Sequence, residues 1–150
     1  HGTVFVHFRT RELLLIELVA EVGRAMSERL AMLETKEPSI ADVLEAHLTA
    51  LADNEVLYSR LLRELSLLPE AARAYIFALQ SGIAFRLQAA YQRALAQGRV
   101  REIDAVILGN IWISLTDHYL INRELFAPDA KVIEKCGAKL KTQLLELIRA

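Results

Sequence analysis

The sequence predicts an all-α protein, a bundle of six to seven helices. Across the 150 residues, apolar side chains recur at intervals of three and four, which is the period of a helix with one buried face. No stretch alternates apolar and polar residues as a half-buried strand does. Glycine and proline are scarce, with 6 and 3 copies, and they lie where the helical patterns end. This length is sufficient for one domain with a sizeable core.

Two capping residues define the first two predicted helices. Thr10 can accept hydrogen bonds from the free amides of a first turn, so we expect a helix over residues 10–33. The polar stretch 35–38 ends this helix. Ser39 can cap the second helix, and Asp42 lies near its N-terminus, where the helix dipole favours a negative charge.

A junction and a long helix follow. The polar residues 53–55 predict a break, with a short helix over 56–65 behind it. Pro69 opens the longest element, because proline is tolerated in a first helical turn, and Gly98 closes it as a left-handed C-cap. Apolar side chains recur every third or fourth residue between these two positions, which predicts one buried stripe.

The last two predicted helices carry more apolar surface than one domain of this size needs. We expect a helix over 101–123 with no purely polar face in its middle, and a final helix over 129–149 with an apolar stripe at coiled-coil-like spacing. The apolar fraction of 53% agrees with an additional buried surface. We therefore expect a homodimer. We assign its interface to small and apolar residues of these helices: Ala105, Gly109, Ile113, Ile133, Cys136, Leu140, Leu144 and Leu147.

Charge and hydropathy exclude several classes of partner. The net charge of −1 offers no positive excess for a polyanion. The longest uncharged runs, 74–85 and 105–116, are shorter than the roughly 18–20 apolar residues that cross a bilayer, so we expect no membrane span. The single cysteine, Cys136, excludes an intramolecular disulfide and is typical of a reducing compartment, which predicts a cytoplasmic protein.

Catalytic and metal-binding patterns are missing from the sequence. A zinc site needs several ligands at short spacing, and none of His1, His7, His47 and His118 has such a neighbour. No nucleophile motif, phosphate-binding loop or metalloprotease motif occurs. We expect no metal, no cofactor and no enzymatic activity.

A second line of side chains on the long helix combines aromatic area with hydrogen-bonding groups, which is typical of ligand pockets. Side chains from other helices could complete the walls. We predict that a small apolar or amphipathic effector binds among Met26, His47, Tyr58, Phe77, Ser81, Gln88, Tyr91, Trp112, Thr116 and Tyr119. The alternative is that these residues are only core, in which case the chain is a helical protein-interaction module without a pocket.

The start of the chain resembles a known family over about residues 2–18. The matching residues are Thr3, Phe5, His7, Phe8, Arg11, Glu12 and Leu14. They resemble the closing segment of the DNA-binding domain in TetR-type transcriptional regulators. In that family a recognition helix ends in a pattern of threonine and aromatics, and a short basic link leads into a leucine-rich helix. The remainder of the chain resembles the family's C-terminal regulatory domain only in the number, lengths and order of its helices.

This resemblance implies a transcriptional repressor that lacks most of its N-terminal helix-turn-helix domain. Residues 1–9 would be the remnant of that domain, and residues 10–150 the ligand-binding and dimerisation domain. An effector would shift the first helix and so change the spacing of two recognition helices on operator DNA. Phosphate contacts, which position a protein without reading bases, would come from Thr3, Phe5, His7 and Arg11.

Overall fold

The computed structural model describes residues 10–31 and 37–150, and these residues confirm the all-α prediction. They form six α-helices, one short 3-10 turn at Leu65–Leu67 and no strand. The helices are α1 (Arg11–Ala31), α2 (Ile40–Arg63), α3 (Glu70–Ala96), α4 (Ala105–Ile121), α5 (Arg123–Phe126) and α6 (Val132–Leu147).

Side-chain caps begin α1 and α2 where the sequence predicts them. The Leu13 amide donates to Thr10 Oγ1 at 3.2 Å. Ser39 and Asp42 form a capping box, in which each side chain accepts from the backbone amide of the other residue. Both helix starts are therefore fixed by local sequence.

The predicted break at residues 53–55 is wrong, because α2 continues through it. Leu51 and Tyr58, on either side of the polar stretch, are both buried in the core. The Asn54 side chain donates to the Ala50 carbonyl one turn earlier, which satisfies it within the helix. Glu55 is also buried and has a partner on α6. Tertiary packing keeps this segment helical despite its polar composition.

The long helix α3 lies where the sequence predicts it. Pro69 immediately precedes its first residue. Gly98 follows its end with a φ of 65°, the left-handed conformation that a side chain disfavours.

Helix α4 begins later than predicted, and a tyrosine side chain is hydrogen-bonded to the non-helical segment before it. The Tyr91 hydroxyl lies 3.0 Å from the carbonyl oxygens of Arg101 and Ile103 and accepts from the Ile103 amide at 2.7 Å. Asp104 then caps α4 by accepting from the amides of Val106 and Ile107. The sequence pattern at 101–104 carries no sign of the distant tyrosine.

Helix α2 is the centre of the bundle, because it packs against α1, α3, α4 and α6. Helix α3 also packs against α1 and α4. Among the described residues, no helix is long and apolar enough to cross a membrane.

Candidate functional site

A largely apolar groove lies between the two long helices α1 and α3. Its volume is about 310 Å³, near the lower end of the range found for ligand pockets. We call it the α1/α3 groove. Its lining comprises Met26, Ser27 and Leu30 of α1 and Tyr75, Ala78, Leu79, Gly82, Ile83 and Arg86 of α3.

The two helices cross closely beside this groove. Gly23 of α1 is buried, and a Cβ built on it would lie 2.2 Å from Tyr75 Cε1 and 3.0 Å from Leu79 Cδ1. Only a glycine permits this approach. Because Tyr75 and Leu79 also line the groove, any molecule that displaces them acts directly on α1.

Opposite conditions hold at Gly82, in the middle of α3. A Cβ built there meets no atom within 4 Å. Because glycine has no side chain, the backbone of α3 is exposed to the groove at this point and nothing projects into the groove from it. Arg86, one turn later and half-buried, is the charged residue of the lining.

A polar cluster lies deeper, between α2, α3 and α4. Gln80 Nε2 donates to Asp117 Oδ2 at 2.7 Å, and the side chains of Gln80 and Tyr58 are also hydrogen-bonded. Burial raises the pKa of Asp117 to about 7. Burial, and secondly the charge of Asp117, raises the pKa of Tyr58 above its usual range. The Asp117 carboxyl therefore exchanges its proton near neutral pH.

Trp112 and His47, both predicted pocket residues, bond to each other in the core. Trp112 Nε1 donates to His47 Nδ1 at 2.9 Å, and the two rings meet edge to face. Burial lowers the pKa of His47 to about 3, so the ring is neutral at physiological pH. Trp112 is fully buried, and its only hydrogen-bond donor is already used by His47. The indole therefore has neither exposed surface nor a free donor for a ligand.

The other predicted pocket residues do not converge on one cavity. Tyr91 and Thr116 are fully buried and bonded to backbone carbonyls, and Tyr119 stacks on Phe126 at 4.0 Å. Gln88 is half-buried. Phe77 and Ser81 are exposed, so they face away from the core. Only Met26 lines the α1/α3 groove, and only Tyr58 belongs to the polar cluster.

Four residues predicted for the dimer interface pack inside their own chain. These are Gly109, Ile133, Leu140 and Leu144. A Cβ on Gly109 would lie 3.1 Å from Ala84 Cβ of α3, and one on Gly137, beside the α6 stripe, would lie 3.3 Å from Leu48 of α2. The apolar stripe of α6 therefore covers α2. Ala105, Ile113 and Cys136 are partly buried, and Leu147 is 42% exposed.

Exposed apolar residues gather instead on α3 and α4. The two longest uncharged runs, 74–85 and 105–116, lie on these neighbouring helices, which meet where Gly109 approaches Ala84. We use the name α3/α4 face for six of their exposed residues, which do not line the α1/α3 groove: Phe77, Ser81, Phe85, Val106, Ile107 and Ile111. Phe85 is the most exposed of its large residues, at 71%.

Three of the four predicted DNA contacts, Thr3, Phe5 and His7, lie outside the described residues. Arg11, the fourth, is exposed at the first residue of α1. Within 10–31 and 37–150, no group of three or more His, Cys, Asp or Glu side chains is placed to hold a metal ion.

Sequence reasoning missed most of the groove. Two signals for it are present: Gly82 interrupts the middle of the longest helix, and Arg86 is the first charge after an uncharged run of 12 residues. The polar cluster carries no such signal. Gln80 and Asp117 are 37 positions apart, and only the packing of α3 against α4 brings them together.

Comparison with known proteins gives no match: no protein-family model, no curated protein and no solved structure is similar to this chain. The resemblance of residues 2–18 to TetR-type regulators therefore stays a prediction.

Proposed function

We propose that this chain is the effector-binding and dimerisation region of a TetR-type transcriptional repressor. A small amphipathic molecule binds in the α1/α3 groove and shifts α1. A second copy of the chain covers the α3/α4 face. The shift of α1 controls how the dimer engages DNA.

The close crossing of α1 and α3 at Gly23 is the observation that carries this proposal. The groove shares Tyr75 and Leu79 with that crossing, where an added methyl group finds no space. A ligand between the helices cannot press on these side chains without moving α1 or α3. Among the described helices, α3 also has extensive contacts with α2 and α4, whereas α1 has them only with α2 and α3. The first helix is therefore the one that yields.

The sequence resemblance gives this movement a consequence. In TetR-type proteins the leucine-rich helix follows directly on the DNA-binding segment, and α1 carries the corresponding residues Arg11, Glu12 and Leu14. Two recognition helices must match half-sites about one turn of DNA apart, so a small displacement of α1 changes affinity for the operator. The ligand acts only as far as it prefers one arrangement over the other.

The groove supports ligand binding better than the neighbourhood of Trp112. Trp112 and His47 are satisfied by each other, and no open volume separates them. The groove combines a partly exposed aromatic ring, aliphatic walls and one cation. A concave, mostly apolar surface with few polar groups is the usual character of small-molecule sites.

Thermal unfolding with three straight-chain probes of different charge tests the proposal. The probes are octanoate, 1-octanol and octylamine. We expect at least one probe to raise the Tm and to slow amide hydrogen exchange in α1, because a bound molecule stabilises the folded state. The Gly82→Leu variant should lose both effects, because Gly82 lines the groove and an added Cβ there meets no atom within 4 Å, so the larger side chain occupies the space of the ligand.

Gln92→Leu is the matched control, because Gln92 is exposed on the same helix and does not line the groove. It should respond to the probes as the wild type does. If no probe changes the Tm, or if the response persists in Gly82→Leu, the α1/α3 groove is not an effector site. A protein-interaction module without a pocket would then be the better description.

A further inference from the structure

We propose that the polar cluster of Tyr58, Gln80 and Asp117 is a pH-dependent contact, which holds α4 against α2 and α3 while the Asp117 carboxyl is protonated and loosens when that carboxyl is ionised. This inference goes beyond the proposed function, because it adds control by pH to a region that we propose to be controlled by a ligand.

Each member of the polar cluster comes from a different helix. Tyr58 lies on α2, Gln80 on α3 and Asp117 on α4. Gln80 bonds to both of the others: its Nε2 donates to Asp117 Oδ2 at 2.7 Å, and its side chain is hydrogen-bonded to that of Tyr58. Helix α4 packs against both α2 and α3. A change of charge at Asp117 therefore acts where three helices meet.

The polar cluster offers no counter-charge to an ionised Asp117. The groups that face its carboxyl are Gln80 from α3 and Tyr58 from α2, and both are uncharged. Helices α5 and α6 also contact α4, but among the described residues neither supplies a charged side chain that is bonded to this carboxyl. His118, the next residue on α4, is exposed and meets the ring of Phe126 edge to face.

Ionisation therefore changes what Asp117 needs from its surroundings. A buried carboxylate without a cation requires several hydrogen-bond donors, and the Gln80 amide supplies one. Water can supply the others only where α4 separates locally from α2 and α3. Burial raises the pKa of Asp117 to about 7, so this change of state lies near neutral pH. The contact is closed below that pH and open above it.

The two helices that the polar cluster joins also carry the α3/α4 face. Gln80 precedes Ser81 directly and follows Phe77 by three residues, and both of these belong to that face. A separation of α4 from α3 changes the distance between the two halves of the face. Its apolar residues then no longer match the same face of a second chain. The dimer should therefore weaken as the pH rises, a consequence that rests on the proposed function.

The fluorescence of Trp112 between pH 5.5 and 8.5 tests the contact. Trp112 is the single tryptophan of the chain and lies on α4, five residues before Asp117. Its Nε1 donates to His47 of α2, so its emission responds when α4 moves away from α2. We expect the emission maximum to move to longer wavelength as the pH rises, with a midpoint near pH 7. His47 contributes no transition in this range, because burial lowers its pKa to about 3.

Three variants separate the polar cluster from other titrating groups. Asp117→Asn should show no transition and should keep the emission of the wild type at low pH. Gln80→Leu should move the midpoint to higher pH, because the carboxylate loses its N–H donor. His118→Gln is the matched control on the same helix and should show the wild-type transition. Far-ultraviolet circular dichroism at pH 5.5 should give the same helix content in all three.

A wild-type emission that does not change with pH, or a transition that persists in Asp117→Asn, would overturn this inference. Light scattering at pH 6 and 8.5 distinguishes its failure from failure of the proposed dimer. A chain that is monomeric at both pH values and still shows the transition would refute the dimer and support the pH-dependent contact. A chain that is equally dimeric at both values and shows no transition would refute the contact and support the dimer.

Discussion

Burial favours the neutral form of both Asp117 and His47, and it shifts their pKa values in opposite directions. Burial raises the pKa of Asp117 from 3.8 to about 7 and lowers that of His47 from 6.5 to about 3. At pH 5 the unfolded chain carries a charged aspartate and a charged histidine, and the folded chain carries neither. Folding thus binds one proton at Asp117 and releases one at His47. The two contributions to the pH dependence of stability cancel in this range.

Replacing Asp117 with Asn should expose the histidine contribution. The raised pKa means that Asp117 stabilises the fold fully below about pH 4 and loses this contribution as the pH rises to about 7. Relative to wild type, Asp117→Asn should therefore become more stable with rising pH, by about 1.4 kcal/mol per pH unit at most. Its own stability should increase from pH 4.5 to 6.5, where His47 deprotonates in the unfolded chain. Urea unfolding at pH 4.5, 6.5 and 8 measures both trends.

Asp129→Asn is the control for this prediction, because Asp129 is exposed. Its stability should follow the wild-type curve. A constant difference between Asp117→Asn and wild type across the three pH values would show that the Asp117 carboxyl is not neutral in the folded protein.

Single residues were predicted from the sequence when their partners are near in the chain, and not when they are distant. Ser39 and Asp42 form their capping box within one turn, and both were predicted at a helix start. Trp112 was predicted to meet a ligand and instead bonds to His47, 65 positions away. An aromatic at helical spacing shows that a side chain is buried. It does not show whether the residue's polar atom is left for a ligand.

The start of α6 depends on a carboxylate from α2. Glu55 is buried, and its two oxygens accept from the amides of Val132 at 2.7 Å and Ile133 at 3.0 Å. A negative charge at a helix N-terminus satisfies the free amides and complements the helix dipole. This contact explains why α6 begins at Val132 rather than at the predicted residue 129, and why residues 53–55 stay helical.

Glu55→Gln should lower the free energy of unfolding by about 2 kcal/mol. The glutamine oxygen can still accept from one backbone N–H group, but its NH2 group then faces the other N–H group, and two donors cannot bond to each other. Denaturation in urea measures this loss, and hydrogen exchange at the first amides of α6 should locate it. Glu134→Gln, at an exposed position in the first turn of α6, should change stability by less than about 0.5 kcal/mol. Equal stabilities of the two variants would contradict the assignment of Glu55 as the cap.

Two helical glycines should respond to the same substitution with opposite sign. Gly82→Ala should stabilise the protein by about 0.5–1 kcal/mol, because it removes backbone freedom from α3 at a position with open space. Gly23→Ala should destabilise it by about 1–3 kcal/mol, because the new methyl group overlaps Tyr75 and Leu79. Thermal and urea unfolding give both values. A Gly23→Ala variant as stable as the wild type would show that Tyr75 moves freely and that the groove is not coupled to α1.

Helix positions followed from the sequence better than helix partners. The apolar stripe of α6 was predicted and is present, and its buried residues pack against α2 of the same chain. Periodicity identifies which face of a helix is buried, and any complementary apolar surface can cover that face. The all-apolar middle of α4 was more informative, because one surrounding bundle cannot cover every side of a helix.

The apolar residues of α4 that the bundle does not cover lie on the α3/α4 face. Between 105 and 116 no side chain is charged, and the same is true between 74 and 85 on the adjacent helix. In a dimer with a two-fold axis, the α3/α4 face of one chain contacts the same face of the other chain. Because this face carries no charge, the contact brings no like charges together. The outer side of α6, in contrast, carries exposed Glu134, Lys135 and Lys139. This distribution favours α3 and α4 over α6 as the contact between two chains.

Light scattering coupled to gel filtration at micromolar concentration measures the expected dimer, whose mass is twice the 16.9 kDa of one chain. Ile111→Glu and Phe85→Glu should each give the mass of a single chain, because a two-fold axis brings the introduced carboxylates close together in an apolar interface. Leu67→Glu is the matched control, since Leu67 is 80% exposed in the 3-10 turn, outside the α3/α4 face, and this variant should stay dimeric. Far-ultraviolet circular dichroism should show wild-type helix content in all three variants. A wild-type chain that is monomeric at these concentrations, or an Ile111→Glu variant that still dimerises, would exclude this face as the interface and remove the dimer from the proposed regulator.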